Sequence, residues 1–530
     1  MNPRISFILA LFSLLALPLA AQDDIVARAR KALEDGKASE AMTLLEENYS
    51  KLKTNLDALL LLARCSLETG QDDKAMDYAL RAVDLDKQNF DANRLAGIAF
   101  FWRAQAKAAS GRSTSGQIAA LFEEAAAFLG TALAVDPSHA DLWGMKGEAL
   151  FMTNDKDSAR EAAKDLSKAF EMEPGNLKWV RLGAGALRVA GDLPGAVALV
   201  EKALKKQPGK AELLMLLGDL SGLKNDIPGA LKAYRRALKA ADVDQQTAGK
   251  IAGYVWQILG TKKKFDEALS IMEDWRKAHA DDYTSHWWAG YYLLQLGRHD
   301  EAIAAFKKAF DVSGGKNGSS AVYVARCFWA KGEMDKGAEW LVKASRAAWQ
   351  SPNDRPMDVL LAMAGRFFGS GKLEEAVAFL RKYGEAIDPG NWSLLNNIGL
   401  ACRDLVEQKG KDPKVWSKLS AEYYERASKA VLADPNATPT NKAMVLNDTG
   451  ILFHFPHHKI NDITKAVGYY RKALSFDPNY VDALENLGLC MNKLGRYEEA
   501  ADLFKKVLDK HPGRRVSLAG LKKAEEALKK

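Results

Sequence analysis

The sequence predicts an all-α solenoid, built from about thirteen tandem helical hairpins and closed by a C-terminal capping helix. Three observations carry this. Apolar residues recur at i, i+3 and i+7, the spacing of one helix face. A Gly within the first helix, a Gly or Asn at the turn and a Pro after the second helix return at a period of about 32 residues, near those of helical arrays. No sustained alternation of apolar and polar residues marks a strand. A hairpin of this size cannot bury both its faces alone, so each one needs neighbours of its own kind.

Composition fits such an array. The 530 residues are 48% hydrophobic and 27% charged, as in ordinary folded protein. Ala, Leu, Lys and Glu, all helix formers, are abundant. The formal charge of +7 is diluted over a long chain and does not argue for nucleic acid. Residues 1–21 read as a signal peptide. Arg4 precedes an apolar run, Ile5 to Leu17, interrupted only by Ser6 and Ser13, and Pro18-Leu19-Ala20-Ala21 forms a cleavage region. The run is too short for a comfortable membrane span, and no second apolar run is expected to approach about 18 residues. The mature chain is therefore expected to be soluble, with no integral membrane span, in the bacterial periplasm or outside the cell. Cys65, Cys327, Cys402 and Cys490 lie far apart. They read as small buried hydrophobes and not as a disulfide framework.

The pattern is clearest from Val481 to Pro512. Leu484, Leu487 and Met491 make one face of a first helix, and Gly488 on that face lets a second backbone come close. Gly495 is placed for a left-handed C-cap. Ala500, Phe504 and Val507 form the inner stripe of a second helix, and Pro512 bars its continuation. These residues resemble the tetratricopeptide repeat (TPR) family. That family's pattern is a large residue, Leu-Gly, a bulky residue, Gly or Asn at the turn, then Ala, an aromatic or Leu, Ala, and Pro. The resemblance implies a right-handed superhelical solenoid in which the first helix of each hairpin lines a concave groove.

The same frame recurs upstream, and an N-terminal array is expected over residues 22–350. Its first hairpin keeps Gly36, Ala41 and Leu45 behind a short first helix. The second has Leu59, Leu62-Ala63, Gly70 and Ala75. The third has Gly97, Ala125, Leu129 and Pro137, with a flexible insertion expected near 104–120, centred on Ser-Gly-Arg-Ser-Thr-Ser-Gly. Gly147, Gly183 and Gly218 mark the fourth to sixth, with Asn225 at the sixth turn and Tyr234 beyond it. The seventh has Gly253 and Gly260 and is lengthened by Lys262-Lys263-Lys264. The eighth, with Gly290, Gly297, Ala302 and Phe306, is nearly as clear as the last. The ninth keeps Gly332 and Leu341. The breakers of 351–356 are the expected hinge to a second array, 357–513. Gly371, Gly399 and Gly450 mark its hairpins before the last one, and residues 514–530 make a solvating cap.

No catalytic motif stands out. There is no Gly-rich phosphate loop, His-Glu-x-x-His, Cys-x-x-Cys or Gly-x-Ser-x-Gly. Neither enzymatic activity, nor a cofactor, nor a bound metal is expected. His454, His457 and His458 lie close together but read as a polar turn, because no carboxylate or thiol joins them at ligand spacing apart from Asp462. Two surfaces are candidates for binding. The resemblance places Trp287 and Tyr291 in the groove, with Tyr254 before them and Arg326 and Trp329 after. Exposed aromatics with Arg are common interface anchors. Towards the C-terminus, Asn397 and Asn486 stand two residues before Gly399 and Gly488, and Asp448, beside Asn447, takes that place before Gly450. Some TPR arrays hold extended peptides with an Asn ladder at this position, since an amide matches a peptide unit's C=O and N–H. The expected function is a non-catalytic scaffold for protein or peptide partners outside the cytoplasm, by family analogy in envelope assembly or secretion. The alternative is a regulatory or glycan-binding subunit of a cell-envelope enzyme complex.

Overall fold

A computed structural model describes residues 19–349, 351–408, 411–455 and 460–529. These form thirteen successive helical pairs and a final helix, Arg515–Leu528. Among the described residues there is no strand, only a single bridge between Asn317 and Trp349. The expected leader lies, up to residue 18, outside the described residues. The first helix runs Leu19–Glu34, so it is not short as expected.

The chain divides into two compact units, Met1–Ile258 and Leu259–Lys530. The division falls within the seventh hairpin and not at 351–356. One core joins Ala321, Leu341 and Ala344 to Leu360, Met363 and Leu380. Apolar side chains from both sides of the breaker cluster therefore share one interior, and Pro356 opens the next helix at its first turn.

In the first unit, the insertion expected near 104–120 is mostly not a loop. It lengthens both helices of the third hairpin, Phe90–Ser110 and Ser115–Val135, to 21 residues each. Ala-rich sequence propagates helix here. Only 111–114 remain as the turn, with Gly111 left-handed and Thr114 forming a reciprocal cap with Gln117. Ser115–Val135 is long and apolar enough, by length and composition, to cross a membrane, which corrects the expectation of no such run. Here its Phe122, Ala125, Leu129 and Ala132 are buried in the hairpin core.

Most of the repeated first-helix glycines act by close approach, although Gly253 of the seventh hairpin has open space at that place. A methyl group at Gly488 would lie 2.7 Å from Phe504 Cζ, and one at Gly450 would lie 2.6 Å from Tyr470 Cε1. Gly495 turns at φ +74° and Asn225 at +62°. After Gly495 the Arg496 N–H donates to the Met491 carbonyl at 2.9 Å, closing the helix end. The four cysteines are buried and free. Burial pushes the thiols of Cys327, Cys402 and Cys490 up to about 12, and that of Cys65 to about 11.

In the second unit, the final helix does more than solvate an apolar face. Arg514 Nη2 lies 2.7 Å from Glu485 Oε2 and 2.6 Å from Asp482 Oδ1. Ser517 Oγ donates to Glu485 Oε1 at 2.6 Å, and Asn492 Nδ2 donates to the Gly520 carbonyl at 2.9 Å. Burial works against the Glu485 carboxylate, yet Arg514 and Ser517 hold its pKa below the usual range. The Phe504 ring is held between Gly488 and Gly520.

Candidate groove sites on the first helices

The aromatic surface lies on the first helices of the eighth and ninth hairpins, Tyr283–Gln295 and Gly318–Ala330. Asp282 starts the former by accepting the Thr284 N–H at 2.8 Å, and Asn317 starts the latter by accepting that of Ser320 at 2.9 Å. Trp287 and Tyr291, one turn apart, stack nearly parallel with centroids 5.5 Å apart. Trp287 also meets Tyr323 edge-on at 5.2 Å. The Arg326 guanidinium sits over Tyr323 at 5.5 Å and lies 3.2 Å from Asp354 Oδ1. Trp329 lies beneath Arg366 at 5.4 Å, and Arg366 Nη1 donates to the Trp329 carbonyl at 3.2 Å. All of Trp287, Tyr291, Arg326 and Trp329 are half-buried. Two donors here, Arg326 Nε and Trp329 Nε1, have no hydrogen-bond partner among the described residues.

Sequence reading missed Tyr323, Asp354 and Arg366. Tyr323 was within reach, since it precedes Arg326 by three residues on one helix face. Asp354 and Arg366 come from segments whose fold-back the repeat pattern does not encode. Tyr254 belongs to the first unit, where it is half-buried and stacks on Tyr234 at 5.7 Å.

The polar row is arranged differently. Asn397 Nδ2 donates to the Ser393 carbonyl of its own helix at 2.8 Å. Asn486 Nδ2 donates to Asn447 Oδ1 at 3.0 Å, and Asn447 is 2% exposed. Asn396, absent from the expected set, donates to Asp448 Oδ2 at 3.1 Å. Burial pushes the Asp448 carboxyl above its usual range, against the lowering effects of Asn396 and Arg403. The Asn396 and Asn486 bonds run between first helices of successive hairpins and the Asn397 bond stays within its own helix, so amide hydrogens expected to face a ligand are used inside the fold. The signal was the repeated doublet, Asn396-Asn397 and Asn447-Asp448, three and two residues before a Gly.

His454 is 3% exposed, stacked on Phe455 at 4.2 Å, with Nδ1 3.3 Å from the Tyr470 hydroxyl. Burial, helped by Lys493, brings its pKa down to about 4. It is a neutral core ring. His457 and His458 lie outside the described residues. Among the described residues, no three His, Cys, Asp or Glu side chains converge on a metal position.

Tetratricopeptide repeat models match residues 183–244, 259–315 and 459–515, and further models of the same repeat match 32–109 and 120–174. These ranges together cover more than half of the chain, which belongs to the tetratricopeptide repeat family. Arrays of this family are scaffolds for protein–protein interaction. An uncharacterized protein of Methanocaldococcus jannaschii is 46% identical over 43 residues, 8% of this chain and 50% of that protein. The chain thus matches about half the length of that curated relative. Among solved structures, one from the APC/C hetero-tetramer Cut9-Hcn1 is 15% identical, covering 96% of this chain and 97% of its own, with a TM-score of 0.28. A tetratricopeptide repeat protein from Parabacteroides merdae is 12% identical, covering 58% and 98%, with a TM-score of 0.30.

Proposed function

We propose that the chain is a non-catalytic scaffold that recognises a protein or peptide partner outside the cytoplasm, in the bacterial periplasm or beyond it, in envelope assembly or secretion. The aromatic surface of the eighth and ninth hairpins is its principal anchor. The observation that carries this is the grouping of half-buried rings, Trp287, Tyr291 and Trp329, with Arg326 on the first helices of two successive hairpins. Flat apolar faces bury area at little entropic cost. The location rests on the signal-like residues 1–21.

Affinity capture from envelope extracts tests the reading. Full-length wild type and the variants Trp287→Ala and Trp329→Ala serve as bait, with recovered proteins identified by mass spectrometry and titrated. A partner lost from both variants supports the aromatic anchor. A partner held equally by all three baits moves recognition off this surface. N-terminal sequencing of the exported protein tests the location: a start at Gln22 supports it, and a start at Met1 overturns leader cleavage.

A further inference from the structure

A groove of about 530 Å³ opens at the C-terminal end of the second unit. It lies among the first helices of the last two hairpins, Pro439–His454 and Val481–Lys493, and the final helix Arg515–Leu528. Its size falls within the range of small-molecule sites. Phe455, Leu489, Val516 and Ala519 supply an apolar lining, and Val516 is 46% exposed although large and hydrophobic. Lys493 and Lys523 also line the groove, both exposed and without an ion pair among the described residues. Among the described residues, no carboxylate side chain lines it.

We propose that this groove binds an aliphatic carboxylate, with the chain along Phe455, Leu489 and Val516 and the carboxylate against Lys493 and Lys523. The lining separates this occupant from a peptide. A peptide unit needs a matched donor and acceptor wherever it is desolvated. Neither neutral polar side chain here, Asn492 or His454, offers such a pair. Asn492 Nδ2 is used by the Gly520 carbonyl, and Asn492 Oδ1 is closed off from solvent. His454 turns Nδ1 to the Tyr470 hydroxyl, which leaves it one ring nitrogen and not the matched pair. An alkyl chain asks for no hydrogen bonds, and two ammonium groups match one carboxylate end. The groove is separate from the aromatic surface, so the two readings stand or fall independently.

Calorimetric titration of the full-length protein with octanoate, decanoate and decanol, below their aggregation limits, tests this. Decanoate should saturate one site, and affinity should rise about fourfold per added methylene, corresponding to about 0.8 kcal/mol each. Decanol, which keeps the chain but lacks the charge, should bind at least tenfold more weakly than decanoate. Lys493→Met and Lys523→Met, exposed substitutions that leave the core intact, should each weaken decanoate severalfold, and salt should weaken it further. Absence of saturable decanoate binding overturns the proposal. So does equal binding of decanol, or unchanged affinity in the double Lys variant. A short peptide ending in Leu with a free carboxylate that displaces decanoate and binds more tightly would assign the groove to chain ends instead.

Discussion

In the eighth and ninth hairpins the first helices carry Trp287, Tyr291 and Tyr323, which lie half-buried against one another, and Trp329, half-buried beneath Arg366. In the eleventh to thirteenth, the matching helices carry Asn396, Asn447, Asp448, Glu485 and Asn486, bonded from helix to helix or to the cap. The backbone frame is the same; the chemistry differs in what it demands. Ring contacts are weakly directional, so a partner can slide over or replace them without stranding a group. A buried amide or carboxylate must keep its partner, because breaking the bond costs the full desolvation of the group left behind. On the proposed function the aromatic region exchanges contacts with a partner, while the bonds of the polar region hold successive hairpins in register.

The largest test of this contrast strikes the close packing of the polar region. Gly488→Leu places a side chain where even a methyl lies 2.7 Å from Phe504, and Gly520 blocks the ring's retreat on the other side. Overpacking of this kind should cost about 3 kcal/mol. Repeats couple mainly to neighbours, so hydrogen exchange should accelerate in residues 481–528 and leave the eighth and ninth hairpins protected. Uniform acceleration would mean that the two regions are not held separately.

Acid provides a second test. His454 titrates at about 4 in the fold because burial disfavours its charged form, against 6.5 for the free ring. Below pH 6.5 the unfolded chain binds a proton that the folded chain does not. Stability is therefore complete above about 6.5 and falls as pH drops towards 4. By pH 5 the loss should be on the order of 2 kcal/mol, felt in the last hairpins. His454→Phe should make protection factors in that region, exchange rates corrected for their intrinsic pH dependence, independent of pH between 6.5 and 5. Protection that still falls with pH in that variant would shift the cause elsewhere. His286 in the eighth hairpin is also lowered by burial, so the aromatic region should show a drift of the same sign.

Sequence reading recovered the frame because spacing alone encodes it. Gly488, Gly495 and Phe504 sit where a helical period demands a gap, a left-handed turn and a ring, and each is found there. It misjudged 104–120, because a Gly/Ser/Thr cluster reads as loop while the Ala-rich flanks, with a Thr114 cap, extend two helices across most of it. It also left out how the polar row is bonded. Which of two adjacent amides faces inward depends on a neighbour dozens of residues away, as with Asn396 and Asp448. Periodicity assigns a face; it does not assign a partner across the face.

A third test acts on the aromatic side. Trp329→Ala removes a half-buried ring whose N–H lacks a partner. If that ring is an anchor, the captured partner should bind about thirtyfold more weakly, or about 2 kcal/mol, with helical content unchanged. Trp287→Ala should do the same and additionally loosen Tyr291, which stacks on it. Weakened folding without weakened binding would reverse the roles assigned to the two regions.

The smallest effect is expected at Asn397, and it sharpens the contrast most. Its amide donates only to the Ser393 carbonyl, one turn back on the same helix. An unstrained helix position with such a local bond tolerates Ala, the best helix former, so Asn397→Ala should change stability by less than about 0.5 kcal/mol. Asn486→Ala differs, because it leaves the buried Asn447 Oδ1 without its donor. That change should cost about 1 kcal/mol and raise exchange in the last two hairpins. If the row were a peptide ladder, the two variants would instead behave alike, each weakening the captured partner about tenfold with melting preserved. Titrating the partner against both variants, alongside thermal melts, separates the cases. Unchanged affinity in both, with a lower melting temperature only for Asn486→Ala, fits amides that join helices. A tenfold loss at Asn397 with an unchanged melt would make the polar row a recognition surface after all, and the division of labour between the two regions would fail.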